Sequence, residues 1–344
     1  MLFPKQKRRL IIDMVYKKEI IFDKKSNSGI TLYLNNLCIE NGNEKRPFIL
    51  VIPGGGYSFC SEREAEPIAL SYVVQGFHAG VLRYHVGEYR DFEKSLQDGK
   101  QALDVIEKID ENFNVSHDKI AVIGFSAGGH LAAAMCTLLQ KKPSLCILGY
   151  PAILSSFATV MKINAPSLDK CVSEDTPPTF LFSTFEDNVV PIENSLYYLR
   201  ALEENDIPFE SHIYQKGLHG LSLANSLTGD SPKMIDSRFS HWLNLSCEWM
   251  NLNWDNNKIT SSNIKKNVID YRVEEIMKDD RNRSYFYKLF PQVENKSYYK
   301  IIRKSTLRQL NRFSPENFTV EKIKLLIEII EENNDEIRRN QWSV

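Results

Sequence analysis

The chain has 344 residues, 42% hydrophobic and 25% charged, with a formal net charge of −1. That length exceeds what one average core absorbs and fits a large α/β domain with a small appendage. The composition is that of a folded globular chain, and the near-zero charge excludes a whole-molecule field that would gather nucleic acid.

The opening, Met1 to Ile12, is basic but lacks the apolar run and small-residue cleavage site of a signal peptide, since Lys17, Lys18 and Glu19 follow closely. No stretch approaches the roughly 18 uninterrupted apolar residues of a spanning helix. The cytoplasm is the expected location, with no membrane partner. Lys18 to Phe22 and Gly29 to Leu34 read as two opening strands, a hairpin at one sheet edge. Phe48 to Ile52 is a continuous apolar run, as in a strand covered on both faces, and it ends at Pro53. Ala79 to Tyr84 is the next strand. From Phe92 to Ile109 apolar residues recur at helical spacing. Strand Ile120 to Ile123, a small-residue helix Ala127 to Leu139 and strand Leu145 to Gly149 follow. Strand Phe180 to Thr184, helix Glu193 to Glu204, strand Phe209 to Tyr214 and a helix from Phe239 to Met250 complete the alternation. Strands alternating with helices predict a mostly parallel sheet with helices on both faces.

Residues 1–254 form this expected catalytic domain. The polar stretch 255–262 (DNNKITSS) reads as a linker, and 263–344 as a small helical domain. Its candidate helices are Val268 to Met277, Ser284 to Phe290, Ser297 to Leu310 and Val320 to Asn333, the last capped by Thr319. Between Lys296 and Arg312 stand six basic residues and no acidic one. A solvated helix face is the plain reading, and a docking surface for an anionic partner or for the catalytic domain is the other; the tail as a whole is a candidate for docking or homo-oligomer formation. The six cysteines are scattered, without a CxxC pair or zinc-finger histidines, so no structural metal is expected and no cofactor is implied.

The chemistry concentrates in Gly124-Phe125-Ser126-Ala127-Gly128. A bare Gly-x-Ser-x-Gly turns up by chance on the order of 0.1 times in a chain this long. Here it lies between an apolar strand and a helix. A serine there sits on a tight turn with its hydroxyl above the sheet edge, and the glycines avoid collisions where strand and helix meet. Upstream, strand Phe48 to Ile52 runs into Pro53-Gly54-Gly55-Gly56-Tyr57, placed to offer backbone N–H groups to an oxyanion together with Ala127. No Gly-x-Gly-x-x-Gly or Gly-Lys-Ser/Thr follows, which disfavours a nucleotide loop.

Asp187 follows strand Phe180 to Thr184, and His219, between Gly217 and Gly220, follows strand Phe209 to Tyr214. Ser126, Asp187 and His219 therefore form a candidate nucleophile, orienting acid and general base. Glu186 is the lesser alternative acid. The other six histidines read as structural or surface residues, with His130 packed against the glycine loop. Gly56, Tyr57 and Phe125 are pocket candidates by position, and Ser58 and Phe59 are placed beside the acyl pocket.

The motifs Pro-Gly-Gly-Gly-Tyr (53–57), Arg-Glu-Ala-Glu-Pro (63–67), Leu-Arg-Tyr (82–84), Gly-Phe-Ser-Ala-Gly-Gly-His (124–130), Gly-Tyr-Pro (149–151), Thr-Pro-Pro-Thr-Phe-Leu (176–181), Asp-x-x-Val-Pro (187–191) and His-Gly-Leu (219–221) carry a resemblance. Over about residues 18–250 the chain resembles the hormone-sensitive-lipase-like and acetyl-xylan-esterase-like branch of the α/β-hydrolases. Pro53 stands where lipase-like relatives have histidine, which resembles the branch of acetyl and small-carbohydrate esterases, often bacterial. The resemblance implies an α/β-hydrolase fold and Gly54 or Gly55 with Ala127 as oxyanion donors. It also implies a serine carboxylesterase acting on short acyl esters, acetyl above all, on sugars or xylo-oligosaccharides. A serine peptidase on short peptides, or a non-catalytic binding protein of the same fold, are the alternatives. The tail resembles, more weakly, helical modules appended to some bacterial esterases.

Overall fold

The computed structural model describes residues 15–35, 45–109, 113–259 and 267–341. The chain divides into two compact units, Met1–Asn257 and Lys258–Val344. The basic opening at 1–12, Cys38 and the end of the polar stretch at 260–262 lie outside the described residues.

In the first unit, eight strands form one sheet: β1 (Val15–Asp23), β2 (Ser28–Asn35), β3 (Arg46–Ile52), β4 (His78–Arg83), β5 (Val115–Phe125), β6 (Leu145–Gly149), β7 (Thr179–Thr184) and β8 (Phe209–Tyr214). Their order is β1-β2-β4-β3-β5-β6-β7-β8. β1 and β2 pair antiparallel, as do β2 and β4, and every pair from β4 to β8 is parallel. The chain moves outward from β3 to β4, then returns to place β5 on the other side of β3. That reversal opens a crevice at the carboxyl ends of β3 and β5, where sheets of this kind bind ligands.

The helices of this unit are α1 (Glu66–Val74), α2 (Phe92–Glu107), α3 (Ala127–Leu138), α4 (Ser155–Val160), α5 (Glu193–Glu204) and α6 (Trp242–Ile259). Alternate residues of β3 serve opposite faces, as the period of two requires. Phe48, Leu50 and Ile52 join the core beneath α2, α3 and α5, whereas Ile49 and Val51 join the one beneath α1 and α6. On the second face Phe182 and Trp242 stack with centroids 4.4 Å apart, a contact worth about 0.5–1.5 kcal/mol beyond its buried area.

Two boundaries and one unexpected helix stand out against the expectation. β5 begins at Val115 rather than Ile120, because Val115 pairs with Arg46 across a bulge while exposed His117 and Asp118 interrupt the apolar pattern. α1 had no helical signature: it carries Pro67 in its first turn and buries Ile68, Ala69, Tyr72 and Val73 against the sheet. α6 continues to Ile259, so the polar stretch begins as helix.

The second unit is helical, with α7 (Val273–Ile276), α8 (Asp280–Leu289), α9 (Lys296–Ile302), α10 (Leu307–Phe313) and α11 (Val320–Gln341) around its own core, where Phe286, Phe290 and Phe318 pack in series. The run read as one helix from Ser297 to Leu310 is two. Thr306 starts a new helix with a reciprocal capping box to Gln309, which satisfies two orphan donors. The segment read as a helix from Val268 to Met277 opens with a 3-10 turn, then extends at Tyr271 and Arg272 so that Arg272 bridges Thr306 before α7. α8 starts at Asp280 because Asp279 accepts the Asn282 N–H. α11 outruns the expected end at Asn333. Within the basic stretch, Arg308 forks onto Asp270 at 2.7 and 3.0 Å.

Candidate active site

Ser126 occupies the turn between β5 and α3 with φ 52° and ψ −116°. A non-glycine residue at positive φ is strained by roughly 1–3 kcal/mol and persists only where its surroundings fix it. Here the Ser126 N–H donates to the Gly149 carbonyl at 2.9 Å, and its carbonyl accepts from His130 and Ala152. The flanking glycines are sterically required: a Cβ on Gly124 would strike the Gly128 carbonyl, and one on Gly128 would strike the Ile52 and Pro53 carbonyls.

The loops after β7 and β8 deliver the other two groups. His219 Nε2 lies 2.8 Å from Ser126 Oγ, and Nδ1 lies 2.7 Å from Asp187 Oδ2. The second Asp187 oxygen accepts the N–H groups of Val189 and Val190 at 2.9 and 2.8 Å. The carboxylate is thus held from both sides with its side chain only 2% exposed. Asn188 adds a brace by accepting the His219 N–H at 3.1 Å. Glu186 is exposed.

The oxyanion loop needs one correction. The Gly54 N–H donates to the buried Glu64 carboxylate at 2.9 Å, so it is already spent and cannot face a nascent oxyanion. Gly55 and Gly56, at φ 122° and 62°, follow it in left-handed conformations that favour glycine. The N–H groups of Gly55 and Ala127 have no hydrogen bond among the described residues; Gly55 lines the cavity at Ser126, and Ala127 is the next residue in the chain, at the start of α3. Of the expected donors Gly54, Gly55 and Ala127, only Gly54 is committed to another acceptor.

A cavity of about 400 Å³ opens over the serine, lined by Gly55, Gly56, Ser58, Phe59, Ser61, Arg63 and Glu64 from the glycine loop and the turn after it, by Phe157, Val160, Met161 and Val189, and by Ser126, His219 and Gly220. Gly56, Ser58 and Phe59 therefore border it. Tyr57 and Phe125 do not. Tyr57 is fully buried with its hydroxyl 3.0 Å from His130 Nδ1, and Phe125 is fully buried against Phe182 and Trp242. For Phe125 the reason is strand alternation, which turns it to the α1/α6 face. Burial depresses the His130 imidazole to about 3, leaving it neutral, and pushes the Tyr57 phenol up. Among the other histidines, His85 sits 2.6 Å from Asp98 and His78 accepts the Asn35 N–H.

The apolar wall at Phe157, Met161 and Val189 escaped the sequence reading because it comes from α4 and the acid loop, whose approach to the serine is tertiary. Glu64, part of the Arg-Glu-Ala-Glu-Pro motif, borders the cavity for the same tertiary reason. Among the described residues no group of three or more His, Cys, Asp or Glu side chains is placed to hold a metal, and no helix is long and apolar enough to cross a membrane.

Residues 34–148 match the BD-FAE family model. The chain is 32% identical over 234 residues to an endo-1,4-beta-xylanase B of Butyrivibrio fibrisolvens, covering 59% of this chain and 35% of that one. It is 26% identical over 206 residues to an acetylxylan esterase of Xylanibacter ruminicola, covering 54% and 43%. The chain therefore spans less than half the length of these curated relatives. Among solved structures, MGS-M1, an alpha/beta hydrolase enzyme from a Medee basin deep-sea metagenome library, is 40% identical with a TM-score of 0.66, and the match covers 71% of this chain and 100% of that one. With a largely parallel sheet, a strained serine elbow and a full-length match to a solved relative, this chain belongs to the α/β-hydrolase superfamily.

Proposed function

We propose that the protein is a serine carboxylesterase that hydrolyses short acyl esters, acetyl groups on sugars or xylo-oligosaccharides in particular. The observation that carries this reading is the continuous relay of 2.8 Å and 2.7 Å from Ser126 through His219 to Asp187 at the base of an open cavity.

In this reading Ser126 Oγ attacks the acyl carbon as His219 Nε2 takes its proton, while Asp187 fixes the tautomer and stabilises the imidazolium. The carbonyl oxygen, now negative, receives the Gly55 and Ala127 N–H groups. Loss of one such donor typically costs about 3 kcal/mol of transition-state stabilisation. Collapse expels the alcohol, protonated by His219, and leaves an acyl-serine. Water, deprotonated by the same imidazole, releases the acid and restores the hydroxyl.

The cavity's lining suggests how the substrate divides. Phe157, Val160, Met161 and Val189 offer an apolar slot for a small acyl group, and Ser58, Ser61 and Arg63 offer hydrogen-bonding groups to a polyhydroxylated alcohol. The acetylxylan esterase named above supports the acetyl and xylan parts of the proposal. A glycosidase would need two carboxyl groups across the bond, whereas among the described residues the one carboxylate lining this cavity, Glu64, is already bonded to Gly54 and Tyr150. Purified protein is expected to hydrolyse a short-chain aryl acetate and acetylated xylo-oligosaccharides, with Ser126→Ala losing nearly all of that rate. Equal rates for wild type and S126A would refute the esterase, and a preference for decanoate over acetate would refute the short acyl slot.

A further inference from the structure

Arg63 and Glu64 lie beside the reacting groups and have no part in the proton relay. They belong to the 3-10 turn Glu62–Glu64 that leads into α1, and Glu64 is 3% exposed. A carboxylate so buried is costly unless its lone pairs are met. Among the described residues no cation pairs with it; neutral donors serve instead. Oε2 accepts the Gly54 N–H at 2.9 Å, and Oε1 accepts the Tyr150 hydroxyl at 2.6 Å.

Those two bonds reach both halves of the machinery. Gly54 is the first residue of the glycine loop, and its carbonyl is held in turn by the Ser61 N–H at 3.0 Å. Tyr150 follows β6 at φ 37°. Its oxygen accepts the Ser222 N–H at 3.0 Å, and its ring meets the His219 imidazole edge-on at 5.0 Å. Burial, then the adjacent carboxylate, pushes the Tyr150 phenol well up, so it remains a donor. Arg63 closes the circuit: its carbonyl accepts the Ser222 hydroxyl at 2.7 Å, and its guanidinium donates to the Gly220 and Thr228 carbonyls at 2.9 and 3.2 Å.

Three consecutive glycines have more conformational freedom than any other tripeptide, and an oxyanion donor works only if it is aimed before the reaction. We propose that Glu64 is a positioning residue for acyl transfer, fixing the Gly55 N–H toward the oxyanion through Gly54 and seating the His219 loop through Tyr150 and Ser222. The role rests on the esterase reading above. It acts on the transition state rather than on substrate binding, since a misplacement of about 1 Å costs on the order of a hundredfold in rate.

The test is steady-state hydrolysis of an aryl acetate by wild type, Glu64→Ala, Glu64→Gln and Tyr150→Phe, with circular dichroism and melting for each. E64A should lose about a hundredfold in kcat with KM within about threefold. E64Q, which still offers an acceptor to Gly54, should recover most of that loss. Y150F should lose about tenfold, and should cost little more when added to E64A because the two act through one circuit. A kcat for E64A within threefold of wild type, a loss confined to KM, or an E64Q as impaired as E64A would overturn the proposal. Should E64A fail to fold, Y150F decides: a tenfold kcat loss supports the circuit and an unchanged kcat rejects it. An inactive wild type that also resists a fluorophosphonate would instead sink the esterase reading, so the two failures are distinguishable.

Discussion

Each member of the relay follows its own strand, which is why Ser126, Asp187 and His219 could be chosen from sequence, whereas the fate of individual N–H groups could not. Gly54 looks equivalent to Gly55 in the tripeptide, and only the fold reveals that Glu64, ten residues on, accepts its hydrogen. At this scale the sharpest consequence concerns Asp187, whose Oδ2 sits 2.7 Å from His219 Nδ1. Asparagine there preserves the shape but can turn an N–H toward the ring and favour the wrong tautomer. Asp187→Asn should lower kcat by about a thousand- to ten-thousandfold, as the equivalent change does in serine proteases, with the melting temperature nearly unchanged. A kcat within tenfold of wild type would show that the imidazole is oriented by something else.

The elements were legible in proportion to how much of their pattern is local. β3, β6 and β7 are apolar on both faces, so continuous runs marked them without knowledge of their neighbours. α1 was missed because EPIALSYVV is apolar nearly all round, leaving no helical stripe, and its hold comes from tertiary bonds such as Tyr72 to Ser246 at 2.8 Å. The tail's helix breaks at Arg303 to Thr306 were missed because apolar spacing runs through them and only the Thr306 cap interrupts it. α6 shows what such an element contributes to the site. Trp242 stacks on Phe182 and donates its indole N–H to the Ser222 carbonyl at 2.9 Å, three residues beyond His219. Trp242→Ala should cost about 3–5 kcal/mol of stability, seen in urea midpoints. Trp242→Phe, which loses the indole donor but retains most of the packing, should be milder. Equal and small effects of both would mean that the α6 face repacks freely.

For the molecule as a whole, two buried histidines set an acid limit. Burial lowers His130 from 6.5 to about 3 and His78 from 6.5 to about 4, the neighbouring Arg46 charge adding to the latter. Both folded values are depressed, so the native state binds fewer protons than the unfolded chain between these limits. The stability from keeping them neutral is full above pH 6.5 and is lost as pH falls toward the folded values, at about 1.4 kcal/mol per unit and group. From pH 7.5 to pH 5 each should remove about 2 kcal/mol. His130→Asn should be less stable than wild type at pH 7.5 yet lose about 2 kcal/mol less across that interval. Parallel stability curves for the two proteins would contradict this. At this scale the composition changes after Trp254, whereas α6 continues past that point to Ile259.

The central claim, that Ser126 is a nucleophile activated by His219, is tested most directly by covalent capture. Wild-type protein treated with a fluorophosphonate should gain one phosphonyl group, mapped by peptide mass spectrometry to Ser126, and should lose aryl acetate hydrolysis in step. Ser126→Ala should take up no label, and His219→Ala should react at least a hundredfold more slowly. Labelling at another residue, or equal labelling rates with and without the imidazole, would contradict the account.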